Sequence, residues 1–179
     1  MKAFRIASLV VALVLLVSLS FAEEATAKPE AKPEAKPNPA FEKIKSLAGD
    51  WQTTFKDGDK TITADNRFQV ISAGSAVLIS EEIPKEGSMV TVVHTDGPQL
   101  MATHYCGAKN QPRLVSVPSD DPNVIVFKFK DATNLASPEA GRMDGVVFRF
   151  IDADHHTQEW TWRENGKDTK HTFEFARKK

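Results

Sequence analysis

Trp160-Thr161-Trp162-Arg163-Glu164-Asn165-Gly166-Lys167-Asp168-Thr169-Lys170-His171 is the stretch on which the reading of the fold turns. Asn165-Gly166 lies between two alternating runs, and both residues tolerate the positive φ that a type I′ hairpin turn needs. A two-residue loop leaves one register: Glu164 faces Lys167, Arg163 faces Asp168, Trp162 faces Thr169, Trp160 faces His171 and Gln158 faces Phe173. One face then carries Arg163/Asp168, Thr161/Lys170 and Glu159/Thr172, soluble pairs with opposite charges matched. The other carries Trp160, Trp162, His171, Phe173 and Phe175. A slip of one residue would turn every aromatic ring to water, so the pattern itself selects the register.

The same parity puts Arg177 on the inner face at the end of the last strand. Upstream, Ser46-Leu47-Ala48-Gly49-Asp50-Trp51 stands where a short amphipathic run stops and strand-like alternation starts. If the strands close on themselves, Arg177 meets Trp51, and a guanidinium laid across the indole plugs one end. His171 then lies roughly 20 Å toward the other end, at about 3.3 Å per residue.

Between these ends the period is two. Candidate strands cover 50–56, 60–72, 76–83, 88–95, 99–106, 113–118, 123–130, 145–152, 157–164 and 167–176. Asp57-Gly58, Ala73-Gly74, Glu86-Gly87, Asp96-Gly97 and Asn165-Gly166 separate them. Ahead of them, Asn38-Pro39 starts a helix on which Phe41, Ile44 and Leu47 recur at helical spacing until Gly49 stops it. Residues 131–141 read as a brief helix or an ordered loop. Ten short strands joined mainly by hairpins predict an all-β, up-and-down antiparallel barrel with a short N-terminal helix. Ile125, Phe127 and Phe129 share a face, as do Val146, Phe148 and Phe150. Eight strands enclose just enough room for side chains, and ten can leave more.

The first 22 residues read as a signal peptide. Met1-Lys2-Ala3-Phe4-Arg5 is basic, Ile6 to Phe21 is almost wholly apolar, and Ser20-Phe21-Ala22 offers small residues for cleavage after Ala22. The alternative is a retained anchor, since the run approaches the ~18 apolar residues that span a bilayer. Residues 23–39, with Lys-Pro-Glu-Ala twice and then Lys-Pro-Asn-Pro, carry no large apolar side chain and read as an extended, disordered tether. The barrel domain is expected over 40–179. A periplasmic or secreted location follows, with no stable membrane insertion after cleavage. The whole chain has 23 basic and 24 acidic residues; without Lys2 and Arg5 the net charge is −3, with no strongly basic block. Nucleic acid and anionic membrane surfaces are poor partners for such a chain. The single Cys106 cannot make an internal disulfide, so the domain relies on its core.

Gly49, Trp51 and Arg177, with the short helix before them and the strand ladder between, resemble the calycin superfamily, whose best-known members are the lipocalins. Within it, Val90-Thr91-Val92-Val93-His94-Thr95-Asp96-Gly97, Leu100-Met101-Ala102-Thr103-His104-Tyr105-Cys106 and Asn110-Gln111-Pro112-Arg113 resemble an uncharacterised family of exported bacterial lipocalin-like proteins. That resemblance implies a barrel, with Gly49, Trp51 and Arg177 as its structural closed end. A second resemblance is to nitrobindin-like haem barrels, whose iron-binding His lies on the last strand; His171 is the matching position. The glycine-rich strand start usual there is replaced by Gln52-Thr53-Thr54.

The expected ligand-binding residues are Trp160, Trp162 and His171, with His104 and Tyr105 beside them. His171 could anchor a polar group of an apolar ligand, ligate haem iron, or be a buried histidine satisfied by Gln158 or Thr169. Both faces of the His104-Tyr105-Cys106 strand are apolar, so parity does not say which residue points in. A Cys–His nucleophile fails because residues two apart on a strand do not aim the base at the sulfur. Asp152, Asp154, His155 and His156 invite a metal reading, but adjacent histidines diverge while zinc needs three or four converging ligands. Arg113 could hold an anionic head group at the rim or be a surface residue after a Pro turn. Glu81-Glu82 and Asp120-Asp121 point apart and read as solubility residues. No phosphate-cradling loop, nucleophile elbow or Cys-pair spacing occurs. The expectation is a non-enzymatic barrel that carries, stores or senses a small, largely apolar molecule. The alternatives are a haem protein with His171 as axial ligand, or a solid-core structural or interaction protein.

Overall fold

A computed structural model describes residues 37–84 and 87–179. The expected signal peptide and most of the tether lie outside the described residues.

The chain starts with helix α1 (Pro39–Ser46), whose first turn is organised by its own sequence. The Asn38 side chain accepts from the amides of Ala40 and Phe41 at 3.0 and 3.2 Å, and Pro39 contributes a preset φ at the position where no amide is needed. Ten strands follow: β1 (Gly49–Asp57), β2 (Lys60–Ile71), β3 (Ala76–Ile83), β4 (Gly87–Asp96), β5 (Gln99–Tyr105), β6 (Gln111–Val117), β7 (Val124–Thr133), β8 (Arg142–Phe150), β9 (His155–Glu164) and β10 (Lys167–Arg177). Each pairs antiparallel with its neighbour in sequence, and β1 pairs with β10, closing an up-and-down barrel. The closing pair is short, Trp51–Thr53 against Phe175–Arg177, but it joins the two ends of the sheet.

The last hairpin has the register that its turn requires, from Lys167 opposite Glu164 to Phe173 opposite Gln158. Asn165 and Gly166 take φ of 50° and 72°. On the outer face Arg163 binds Asp168 at 2.6 and 3.0 Å, and Lys170 reaches diagonally to Glu159 at 2.6 Å. The segment 131–141 is partly strand: β7 runs on to Thr133, and turns without helix lead to Arg142. Two register shifts, between Arg113 and Leu114 and between Met143 and Gly145, bend the wall. At the second, a Cβ on Gly145 would lie 2.8 Å from the Phe127 carbonyl, so close strand approach requires glycine there.

One end of the barrel is shut. Phe41, Ile44 and Leu47 are buried in the same cluster as Trp51, Phe68, Leu100, Phe127 and Phe148. The helix is tied across this end by Asn38 to the Pro98 carbonyl (3.0 Å) and by Lys43 to Asn123 (2.8 Å). Trp51 is fully buried and donates its indole N–H to the Leu47 carbonyl at 2.7 Å. The Arg177 guanidinium lies 4.2 Å from the Trp51 ring and donates to the carbonyls of Ala48, Ala153 and Ser46. Its Nη1 would stand 2.8 Å from a Cβ on Gly49, and Gly49 itself has φ of 129°. The positive φ favours glycine at that position, and any side chain there would also have to displace the Arg177 guanidinium.

Candidate functional site

Above this plug the interior is not filled. A cavity of about 610 Å³ occupies the opposite half of the barrel and reaches the rim formed by Gly107 and Ala108 between β5 and β6. The aromatic face of the last hairpin supplies one wall: Trp160, Trp162, His171, Phe173 and Phe175 all line it. The expected inward turn of those rings is therefore present. Trp160 is 5% exposed, whereas Trp162 is half-buried nearer the rim. Gly141 packs directly beneath the Trp162 ring, where a Cβ would come within 2.1 Å of Cζ2. Gly141→Ala should therefore displace that indole, costing about 1–3 kcal/mol. A shift in tryptophan emission together with a lower unfolding midpoint checks this; unchanged emission would show that the ring does not depend on the gap.

His171 faces the cavity from β10 but is exposed, and it makes no hydrogen bond or ion pair among the described residues. The reading of a buried His171 satisfied by Gln158 or Thr169 is thus corrected. The Gln158 amide is engaged elsewhere. The donor-only indole of Trp160 gives its N–H to Gln158 Oε1 at 3.0 Å. Gln158 Nε2 therefore donates to His156 Nε2 at 3.2 Å, leaving the ring proton of neutral His156 on Nδ1. Near Trp51 (4.4 Å, edge-on), His156 stacks on Phe175 at 4.9 Å and is buried in the closed half. Burial, and after it the charge of Arg177, pushes the His156 pKa down to about 3. Its neighbour His155 points to solvent and binds Asp152 at 2.9 Å. Among the described residues no group of three or more His, Cys, Asp or Glu side chains is placed to hold a metal ion.

Parity was undecided on β5, and packing settles it. His104 is inside, 1% exposed, with Nδ1 at 2.9 Å from Thr91 Oγ1 and its ring 5.0 Å from that of Trp160. Burial lowers its pKa to about 4, so the ring is neutral at physiological pH. Nε2 of this ring has no partner. Tyr105, expected beside His104 at the site, is instead 52% exposed on the outer surface and does not line the cavity. On a strand with two apolar faces, the larger and more polar-tipped ring has gone out, where its hydroxyl meets water. Cys106 follows on the cavity rim. Arg113 lies on the outer face with both nitrogens on Asp131, the longer bond being 2.7 Å, so it is not a rim anchor facing the cavity.

Sequence reasoning assigned Glu81 to solubility. Glu81 is in fact 6% exposed on the cavity wall, between Asn66 on β2 and Met89 on β4, while Glu82 points out. Burial pushes its carboxyl up to about 7, and Oε1 has no hydrogen-bond partner. The signal was available in the alternation of Val77, Ile79, Glu81 and Ile83, which puts the carboxyl on the apolar face of β3. Thr53 Oγ1, on β1, is also buried on the wall without a partner. The cavity thus combines aromatic walls with a few isolated polar atoms, the usual composition of a small-molecule site.

No family model and no curated protein matches the chain. Solved structures do resemble it. Rv2717c from M. tuberculosis is similar with a TM-score of 0.55 at 15% identity, over 80% of this chain and 100% of that one. A protein of unknown function of the DUF3598 family from Nostoc punctiforme has a TM-score of 0.51 at 12% identity, over 76% of this chain and 49% of that one, about half its length. What these likenesses establish is the architecture: the chain has the barrel fold of these two proteins.

Proposed function

We propose that this is an exported, lipocalin-like barrel of the calycin type that binds a small, largely apolar molecule, to carry, store or sense it. The observation that supports this most is the cavity of about 610 Å³, walled by Trp160, Trp162, Phe173 and Met143 and supplied with unpartnered polar atoms on His104, Glu81 and Thr53. A volume of that order holds a drug-sized molecule. It leaves the solid-core alternative without support. The Arg177–Trp51 stack at the shut end agrees with the calycin resemblance. Export rests on the basic start, apolar run and small-residue exit of residues 1–22.

Titration with an apolar fluorescent probe is expected to saturate, with energy transfer from Trp160 and Trp162. Trp160→Ala should weaken binding at least tenfold. Absence of saturable binding by the wild-type protein sinks the proposal.

A haem reading has one specific support: His171 is a partnerless imidazole on an aromatic-walled cavity, open on one side. In that reading His171 would hold the iron and Trp160 and Trp162 would line the pocket around the group, which would supply redox or gas-binding chemistry. Haemin should then give a Soret band that His171→Ala alters. An unchanged band rules His171 out as the ligand.

A further inference from the structure

Among the described residues Glu81 is the only carboxylate on the cavity wall, and there it enters no ion pair and its Oε1 has no hydrogen-bond partner. Its register neighbours, Asn66 and Met89, carry no charge. The other titratable groups lining the cavity are Lys56 from β1, His104 from β5, Cys106 at the β5 end and His171 from β10. Lys56 gives its ammonium to Thr61 at 2.7 Å on the exposed side, and His104 is held neutral by burial. Natural interiors rarely keep a carboxyl oxygen without a donor, and a buried charge without an opposite one is rarer still. Such a group, nine-tenths buried yet bordering empty space, is matched by a ligand that brings both a positive charge and N–H donors.

We propose, building on the binding-protein reading above, that the ligand carries a protonated amine seated against Glu81, with its apolar body among Trp160, Trp162 and Phe173. The ammonium satisfies Glu81 Oε1, and the unpartnered Thr53 Oγ1, from β1 on the cavity lining, is a further acceptor position. A carboxylate head is repelled at this site. A hydroxyl head satisfies the oxygen without compensating the charge.

The pH dependence has a definite sign. A primary alkylamine stays protonated below about pH 10, as lysine does. Binding requires Glu81 to be ionised, and burial holds that carboxyl near 7 in the free protein. Amine affinity therefore rises as pH increases through 7 and flattens above 8.

Isothermal titration of the full mature chain with octylamine, octanol and octanoate tests this. At pH 8 octylamine should bind at least tenfold more tightly than octanol, with octanoate weakest. Glu81→Gln should abolish the preference and the pH step while still binding octanol, which also reports that the variant is folded. His171→Asn should keep the pH step. If octanol binds as tightly as octylamine, or if Glu81→Gln retains the amine preference, the amine site is overturned while the cavity reading stands. If the wild-type protein binds none of the three, both fall.

Discussion

Trp51→Ala is expected to remove about 3–5 kcal/mol of folding stability, the range found when a large buried aromatic is deleted. A domain of this size has about 5–15 kcal/mol in total, so the variant should be marginal. Three losses coincide at this position. The fully buried ring leaves a void beneath α1, where Phe41, Ile44 and Leu47 pack. The indole N–H bond that ties the barrel to the Leu47 carbonyl disappears. The Arg177 guanidinium loses the face on which it lies, although its bonds to the Ala48, Ala153 and Ser46 carbonyls can persist. Trp51→Phe keeps a ring under Arg177 and should cost less than half as much. Urea unfolding followed by circular dichroism separates these outcomes. A loss under 1 kcal/mol for Trp51→Ala means that the helix and Arg177 close the barrel without it.

Glu81→Gln should do the opposite at high pH, raising stability by about 3 kcal/mol at pH 8 and by nothing at pH 4. The Glu81 carboxyl moves from 4.5 up to about 7 on folding, because burial penalises its charge. The folded protein therefore holds a proton between those values that the unfolded chain releases. Stability from this group is complete below pH 4.5 and is lost as pH rises through 7. Raising the carboxyl from 4.5 to about 7 is worth about 3 kcal/mol. His104 and His156 behave in the reverse sense. Their folded values fall to about 4 and about 3 from 6.5, so their contribution is complete above pH 6.5 and is lost as pH falls toward those lower values.

Between pH 6.5 and 4.5 these three groups oppose one another. The unfolded chain binds two protons on the histidines while the folded protein binds one on Glu81. Wild-type stability should then fall by about 1.4 kcal/mol per unit of acidification. In Glu81→Gln the opposing proton is gone and the slope should double to about 2.7 kcal/mol per unit. Urea midpoints at half-unit intervals from pH 4.5 to 8 measure both slopes. Equal slopes in the two proteins would place Glu81 in contact with water, contrary to its burial.

The two halves of the barrel differ in purpose for a physical reason. Toward α1, residues such as Ile79, Val93, Leu114 and Phe148 belong to one buried cluster with Phe41, Ile44 and Leu47 of the helix end. Toward the rim, Ala64, Met89 and Gly107 are narrow or flexible side chains facing the large rings of β9 and β10, so the ten-stranded wall keeps space that they do not occupy. The polar atoms left in that space are the ones on which ligand chemistry depends.

Local chemistry alone was enough for most of the architecture. Asn165-Gly166 sets a register because only that offset keeps charge opposite charge and rings opposite rings. Asn38-Pro39 and Gly49 bound the helix, and glycine-bearing turns punctuate the strands at two-residue periodicity. Trp51 and Arg177 were predicted to meet, since antiparallel closure brings the first strand's start beside the last strand's end. What alternation cannot supply is the side that faces inward when both faces of a strand are apolar. His104 rather than Tyr105 points in because the three-dimensional neighbours, Thr91 and Trp160, offer the imidazole a bond and a ring, whereas the phenol reaches water. His156 was hidden within an apparently solvated turn, whereas the inward side of Glu81 was legible in the alternation of β3 and was passed over for an apparently soluble acidic pair. That this carboxyl borders unfilled volume is decided only by the closure of all ten strands, a property of the assembled wall rather than of any segment of it.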